Sequence, residues 1–297
     1  GSTGNTFYAQ ASMPGNGVLV ATNNDSAVLF DGQGQRVDDA PVRSFSYEGI
    51  HRSRDGGIWF SRKPGLERYD PFSGRIVSMV QPPASTTFTR FLEEGDSLWL
   101  ADEVGIHCWK HGGLRQVYAY TGPEAFRHAQ FIRREDAQRL WFGTCDGLYR
   151  LTPATGRTDT VEAFRGRCVR AMERIGGYVF VGTYGSGAFV QDGDGFRPLP
   201  KDPLGYLSHV HSFLADSTGG LWMSTNRGLF RMRLGDVEGM LADTSYKPYM
   251  DHFGEWAGIE NSEFNGGCDP ACVRLSDGTA SFPTLGGLVW FRPESIP

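Results

Sequence analysis

The chain has 297 residues, of which 39 % are apolar and 21 % charged, with a formal net charge of −5. That balance gives no footing for a nucleic-acid partner, whose phosphates demand a basic surface, and no run of 18 apolar residues offers a membrane-spanning helix. Seven repeats fill the length, which leaves no block large enough for a second core and makes this one domain, 1–297.

In chain order, Gly1-Ser2-Thr3-Gly4 reads as a linker, since it lacks the charged start and apolar core of a targeting peptide. A short phrase then recurs: a strand centred on an aromatic or apolar residue, one or two small residues, then Gly and an apolar residue. It begins in degraded form at Val18-Leu19-Val20-Ala21-Thr22 and is complete at Ile58-Trp59-Phe60-Ser61 with Gly65-Leu66. Further copies centre on Trp99, Trp141, Phe180 and Trp222, and a degraded one on Ala280 is followed by Gly287-Leu288. From position 19 to 280 the steps are 40, 40, 42, 39, 42 and 58.

A period near 40 with short strands and Gly-rich turns predicts a β-propeller of four-stranded antiparallel blades. Helical repeats of similar length are excluded by 40 Gly and 16 Pro and by apolar residues that alternate with polar ones. The reading is all-β and seven-bladed, with blades at about 7–40, 41–80, 81–121, 122–162, 163–202, 203–240 and 241–297. In the fourth, His128–Arg133 is an inner strand, Glu135–Gln138 a turn, Leu140–Thr144 the second strand, Gly147–Leu151 the third, and Thr158–Val161 the outer strand. Trp141 then sits mid-blade, where a large flat side chain packs between blades. The one oversized step places an insertion at Leu234 to Ser262, and insertions in repeat proteins often shape a binding surface.

Aligning the inner strands gives a second pattern. Gln10, His51, Arg90, Gln130, Arg170, His211 and Asn265 keep one polar position in all seven copies, with steps of 39 to 41 until the last, which is 54. Inner strands line the central channel, so this ring is the candidate ligand contact; its Arg and His residues favour an anionic or hydroxyl-rich small molecule. The competing role is bonding to the backbone of neighbouring blades. Trp256 and Phe264 are added as stacking candidates beside Asn265.

No catalytic constellation is visible. Gly185-Ser186-Gly187 lacks the GxSxG form and reads as a turn. His209 and His211 share a strand face but have no evident third metal ligand nearby. The acids Glu93-Glu94 and Asp192 to Asp194 fall at turns, and no cofactor is called for. Five cysteines cannot all pair within one chain; only Cys268 and Cys272 are close in sequence, which allows a disulfide there, and Cys108, Cys145 and Cys168 read as buried thiols.

The phrase D-G-x-I/L-W-F-G/S-T-x-x-G-L-x-R/Y, fullest at Asp55–Tyr69, Leu140–Arg150 and Gly219–Arg231, resembles the propeller repeat of bacterial two-component regulators. The tail is more specific: Gly258-Ile259 to Glu263-Phe264-Asn265-Gly266-Gly267, then Pro270-Ala271, Asp277-Gly278, Phe282-Pro283-Thr284 and Gly286-Gly287-Leu288 resemble the last blade of those sensors. The resemblance covers essentially the whole chain. It implies a periplasmic sensor region of a histidine kinase, hybrid kinase or diguanylate cyclase, homodimeric in the full receptor and joined to the membrane only through flanking segments. On this reading the chain is a piece of a longer sensor, binds a small molecule such as an oligosaccharide or acidic sugar, and is not itself an enzyme. The alternatives are a propeller enzyme acting on polysaccharide, a lyase or hydrolase, and a protein-interaction scaffold.

Overall fold

Alternating strands that bury one row of side chains on each face need a covered surface on both sides, and a ring of blades supplies it. The computed structural model describes residues 6–62, 65–80, 87–122 and 128–296; the linker-like Gly1–Gly4 lies outside them. The strands form seven antiparallel sheets in chain order, a seven-bladed β-propeller; six have four strands, and the last has three among the described residues. Blade four shows the pattern, with Phe131–Arg134 innermost, then Leu140–Thr144, Gly147–Thr152 and Arg157–Thr160.

The buried apolar residues fall into seven clusters, each joining two neighbouring blades, and the one between blades one and two also takes in Cys268 and Ala271 of blade seven. Trp141 is 1 % exposed and packs with Val169, Met172 and Phe189 of blade five, so the repeated aromatic holds blades together. The rest of the phrase has a partner role. Trp59, Trp141 and Trp222 lie opposite Arg68, Arg150 and Arg231 of the third strand, whose guanidinium groups sit 5.6, 4.5 and 5.4 Å from the ring centres. This cross-strand cation–π pair explains why the Gly-Leu is followed by Arg in those three copies.

The insertion divides between two faces. A helix at Asp236–Ala242 lies in the connection from the third to the outer strand of blade six, and that outer strand is Met250–Phe253. Blade six therefore runs past the boundary expected at residue 240, because the helix displaces its fourth strand along the sequence. Trp256 follows on the connection to blade seven, at the other end of the outer strand.

Blade seven departs most. Its innermost strand shrinks to Val273–Arg274, and residues Gly266 to Cys272 leave the sheet, as two glycines and a proline in a strand position dictate. Ring closure rests on blade one: the Phe7 N–H donates to the Thr284 carbonyl at 3.3 Å, Gln10 exchanges hydrogen bonds with Ser281, and Phe7, Val18, Val20 and Leu275 pack together.

Replacing Trp141 with Ala is expected to cost about 3–5 kcal/mol in urea unfolding, as for large buried aromatics. Trp256→Ala, at a residue 73 % exposed, is expected to stay within about 0.5 kcal/mol.

Candidate functional site

The channel is filled. Residues Gly266 to Cys272 of blade seven cross it and touch blades two to six. Asp269 pairs with blade two through its N–H to the Glu48 carbonyl at 2.9 Å and its carbonyl to the Ile50 N–H at 3.3 Å. The Arg90 guanidinium of blade three reaches the Gly267 carbonyl at 2.8 Å, and Arg133 of blade four grips the Asp269 carboxylate through both terminal nitrogens at 2.9 Å. The Cys272 thiol lies 3.6 Å from the Phe213 carbonyl of blade six. The glycines are required by crowding: a Cβ on Gly266 would come 2.2 Å from His211 Nδ1, and one on Gly267, at φ +75°, 2.8 Å from an Arg170 nitrogen.

The seven ring residues do not form one layer. His51 lies opposite Trp59, whereas Arg90 lies opposite Ala101, two positions further along the repeat, so equal sequence steps conceal different registers. His51 bonds Glu93 at 3.2 Å on the level where Arg133 bonds Glu173. Arg90 is 1 % exposed and gives its donors to four carbonyls, those of Glu48, Thr89, Gln130 and Gly267, at 2.6 to 2.9 Å. Gln10 is buried against Ser281, and the Asn265 side chain donates to the Phe7 carbonyl. Phe264, 1 % exposed, packs edge-on to Phe282 in the core between blades six and seven. Trp256 stacks on Phe253 at the outer strand of blade six, away from the channel. Arg90, Asn265, Gln10 and Phe264 thus serve the scaffold, since each has its polar or apolar surface taken up by protein.

Gln130, Arg170 and His211 differ. Arg170 and His211 are the extra residues of β-bulges, between Val169 and Ala171 and between Val210 and Ser212, and a bulge re-aims its side chain. Arg170 is partly exposed, stands 4.9 Å over the Tyr184 ring, contacts Cys168 Sγ at 3.4 Å, and has no ion pair among the described residues. Burial lowers its pKa. Tyr184, 44 % exposed, meets His209 edge-on at 4.3 Å. His211 is 4 % exposed and bonded to Asn226 Oδ1 at 2.5 Å; burial drives its pKa down to about 4 against that bond, so the imidazole is neutral. On the same face, the lead-ins to blades two, three and four and the turns of blades one to three enclose a groove of about 510 Å³, lined by Ser46, Tyr47, Glu48, Arg62, Glu103 and His128 among others. The Tyr184–His209 pair and this groove were not flagged by sequence, because turn residues of different blades carry no shared period.

Cys145 and Cys168 form the disulfide, tying the turn of blade four to the inner strand of blade five. The sequence had singled out Cys268 and Cys272 as near neighbours; both are free thiols in the channel segment, and burial raises each to about 12. No group of three or more metal-ligating side chains occurs among the described residues. Nor is any helix there long and apolar enough to cross a membrane.

The arrangement is a β-propeller with a closed channel and a polar mouth on one face. No protein-family model and no curated protein matches the sequence. Among solved structures, the fold is similar to two proteins of B. thetaiotaomicron described as extracellular domains of hybrid two component systems, BT3049 (17 % identity, TM-score 0.75) and BT4673 (14 %, 0.71). The alignments cover 98 % of this chain but 39 % and 38 % of those, so the chain spans about two fifths of their length. It is also similar to virginiamycin B lyase from Staphylococcus aureus, solved with quinupristin (13 %, 0.68), over 96 % of this chain and 94 % of that one.

Two variants separate scaffold from mouth. Arg90→Ala strands several buried carbonyls and is expected to cost about 3 kcal/mol or more in denaturant unfolding, with Arg90→Lys only partly restoring it, while Arg170→Ala stays within about 1 kcal/mol. The neutral His211 also sets a pH dependence: its contribution is complete above the unfolded pKa of 6.5 and is lost as pH falls toward about 4. The loss reaches about 3 kcal/mol at the acid end, and unfolding midpoints from pH 7 to 4 should show that much less decline in His211→Gln.

Proposed function

We propose that this chain is an extracytoplasmic ligand-sensing domain of a two-component sensor, binding a hydroxyl-rich small molecule at the polar mouth. The observation that carries this reading is the Arg170–Tyr184–His209 cluster, raised on a bulge and left without a carboxylate partner, on the face that holds the groove. Arg170 supplies a forked donor, and Tyr184 a ring face on which a sugar can lie. Glu48 and Glu103 line the groove and have no ion pair among the described residues. Their carboxylates accept hydroxyl donors and repel anions, so a neutral oligosaccharide suits the site better than an acidic sugar.

The likeness to the hybrid-system domains supports the sensor class, and the Cys145–Cys168 disulfide fits an oxidising compartment. Signalling then requires that the ligand favour one of two arrangements of the whole receptor. The lyase likeness raises the enzymatic reading, in which the same mouth turns a substrate over.

A thermal-shift screen with neutral oligosaccharides, uronic acids and amino acids tests the proposal. A ligand at about 100 times its Kd is expected to add about 2.7 kcal/mol to stability, and Arg170→Ala or Tyr184→Ala to abolish that gain without lowering the ligand-free midpoint. No response to any sugar, or product formation from one, would count against it.

A further inference from the structure

Three arginines hold the same place in different blades. Arg52, Arg134 and Arg274 each end an innermost strand and pair with the first residue of the second strand, Ile58, Leu140 and Ala280. Their side chains reach back to the preceding part of the ring. Arg134 meets the Glu94 carboxylate of blade three, while Arg274 gives one nitrogen to the Ala215 carbonyl of blade six at 2.8 Å and another to the Glu294 carboxylate. Arg52 grips the matching carbonyl of blade one, that of Ser12, at 2.6 Å and the Ser12 hydroxyl at 3.2 Å, both through Nη1. It alone of the three has no carboxylate. Neither an ion pair of Arg52 nor a partner for its Nε and Nη2 occurs among the described residues.

The open charge borders a pocket. About 340 Å³ in volume, it lies between the first turns of blades one and seven, on the face opposite the Arg170 mouth, and Ser12, Met13, Arg52, Arg274 and Leu275 line it with no acidic residue among its walls. The acids of the adjoining turns are committed elsewhere. Glu93 accepts from His51, Ser53 and the Arg54 N–H, and Asp277 from Thr279 and Arg292. The Ser12 hydroxyl accepts from Arg52 and keeps its own proton for a second hydrogen bond. Met13 and Leu275, both buried, make one wall apolar.

We infer that this pocket is a second binding site, for a small organic acid whose carboxylate takes the open edge of the Arg52 fork and whose carbon chain lies on Met13 and Leu275. A planar anion with two oxygens matches Nε and Nη2 of a guanidinium in parallel, and the carbonyl on Nη1 already holds that fork in place. Arg274 cannot take the same role, since Glu294 neutralises it. The pocket volume suits a ligand of a few carbons. This site is independent of the sugar-binding reading of the Arg170 mouth and stands if that reading fails.

The test is titration calorimetry with sodium butyrate, and with sodium sulfate and chloride at matched ionic strength, on the unaltered chain and on Arg52→Lys, Ser12→Ala and Arg170→Ala. Butyrate is expected to bind saturably at one site. Arg52→Lys, which keeps the charge but not the fork, should weaken it by about 10-fold or more, and Ser12→Ala by a smaller factor, while Arg170→Ala leaves the affinity unchanged. A second measurement needs no folded variant: the Arg52 Nε–H resonance of the unaltered chain, assigned from its absence in Arg52→Lys, should shift with butyrate along the calorimetric binding curve. No saturable binding, an unmoved Arg52 resonance, or an affinity unchanged by Arg52→Lys would overturn the proposal. Loss of binding in Arg170→Ala would overturn it too, by placing the carboxylate at the other mouth, and sulfate binding as tightly as butyrate would overturn the choice of an organic acid.

Discussion

A single guanidinium, that of Arg90, joins four backbone carbonyls that belong to blades two, three and four and to the segment that fills the channel. A buried cation without a carboxylate is tolerable only when its donors are satisfied, and here the ring's own backbone satisfies them. The arrangement works in both directions. The carbonyls hold the charge, and the charge ties three successive blades to a segment of blade seven that is 177 positions away in sequence. Arg133 repeats the device one level away, with Asp269 and Glu173 as its anionic partners.

Closing the channel determines what kind of site the molecule can have. Gly266–Cys272 block the axis, so the channel offers only its mouths, and not its length, as a site. The mouth with exposed, unpaired chemistry is the one where a bulge turns Arg170 out of the strand alternation, with the bulge residue His211 buried beneath it. His211 then becomes part of the support: neutral, buried and packed on Gly266, it backs the segment whose other side bears on Arg170. The polar mouth and the closed channel are thus built from the same few residues, which ties any ligand-linked movement of Arg170 to the segment behind it.

Much of this was legible in the sequence. The aromatic phrase reports the blade because an inter-blade wedge needs a large side chain at the same height in each copy, and Trp59, Trp141 and Trp222 occupy it. The Arg three residues after the repeat glycine was legible as part of the phrase, but its reason, the pair across two strands, needs the register. The polar ring does not form one layer for a physical cause: the first hairpin turn differs in length between blades, as from Arg52 to Ile58 against Glu94 to Ser97, and bulges add a residue at Arg170 and His211, so even sequence spacing puts residues such as His51 and Arg90 at different levels. The Asn-Gly-Gly-Cys-Asp-Pro string did carry a signal, since two glycines and a proline do not belong in an inner strand. What it could not reveal is where the displaced chain goes, because its partners Glu48, Arg90 and Arg133 lie more than 130 positions away. The disulfide is a similar case: Cys145 and Cys168 are brought together by adjacent blades, while the pair close in sequence, Cys268 and Cys272, stays reduced, the first buried and the second half-buried.

The central claim, that blade seven's own chain seals the channel as part of the folded core, is tested most directly by native-state amide exchange at Asp269 and Ile50. If the segment is locked to blade two, both amides should exchange only through global unfolding, with the same denaturant dependence as a core amide such as that of Val181. Exchange at both positions at the rate of an exposed loop, while Val181 stays protected, would mean that the channel opens in the native state and would contradict the account.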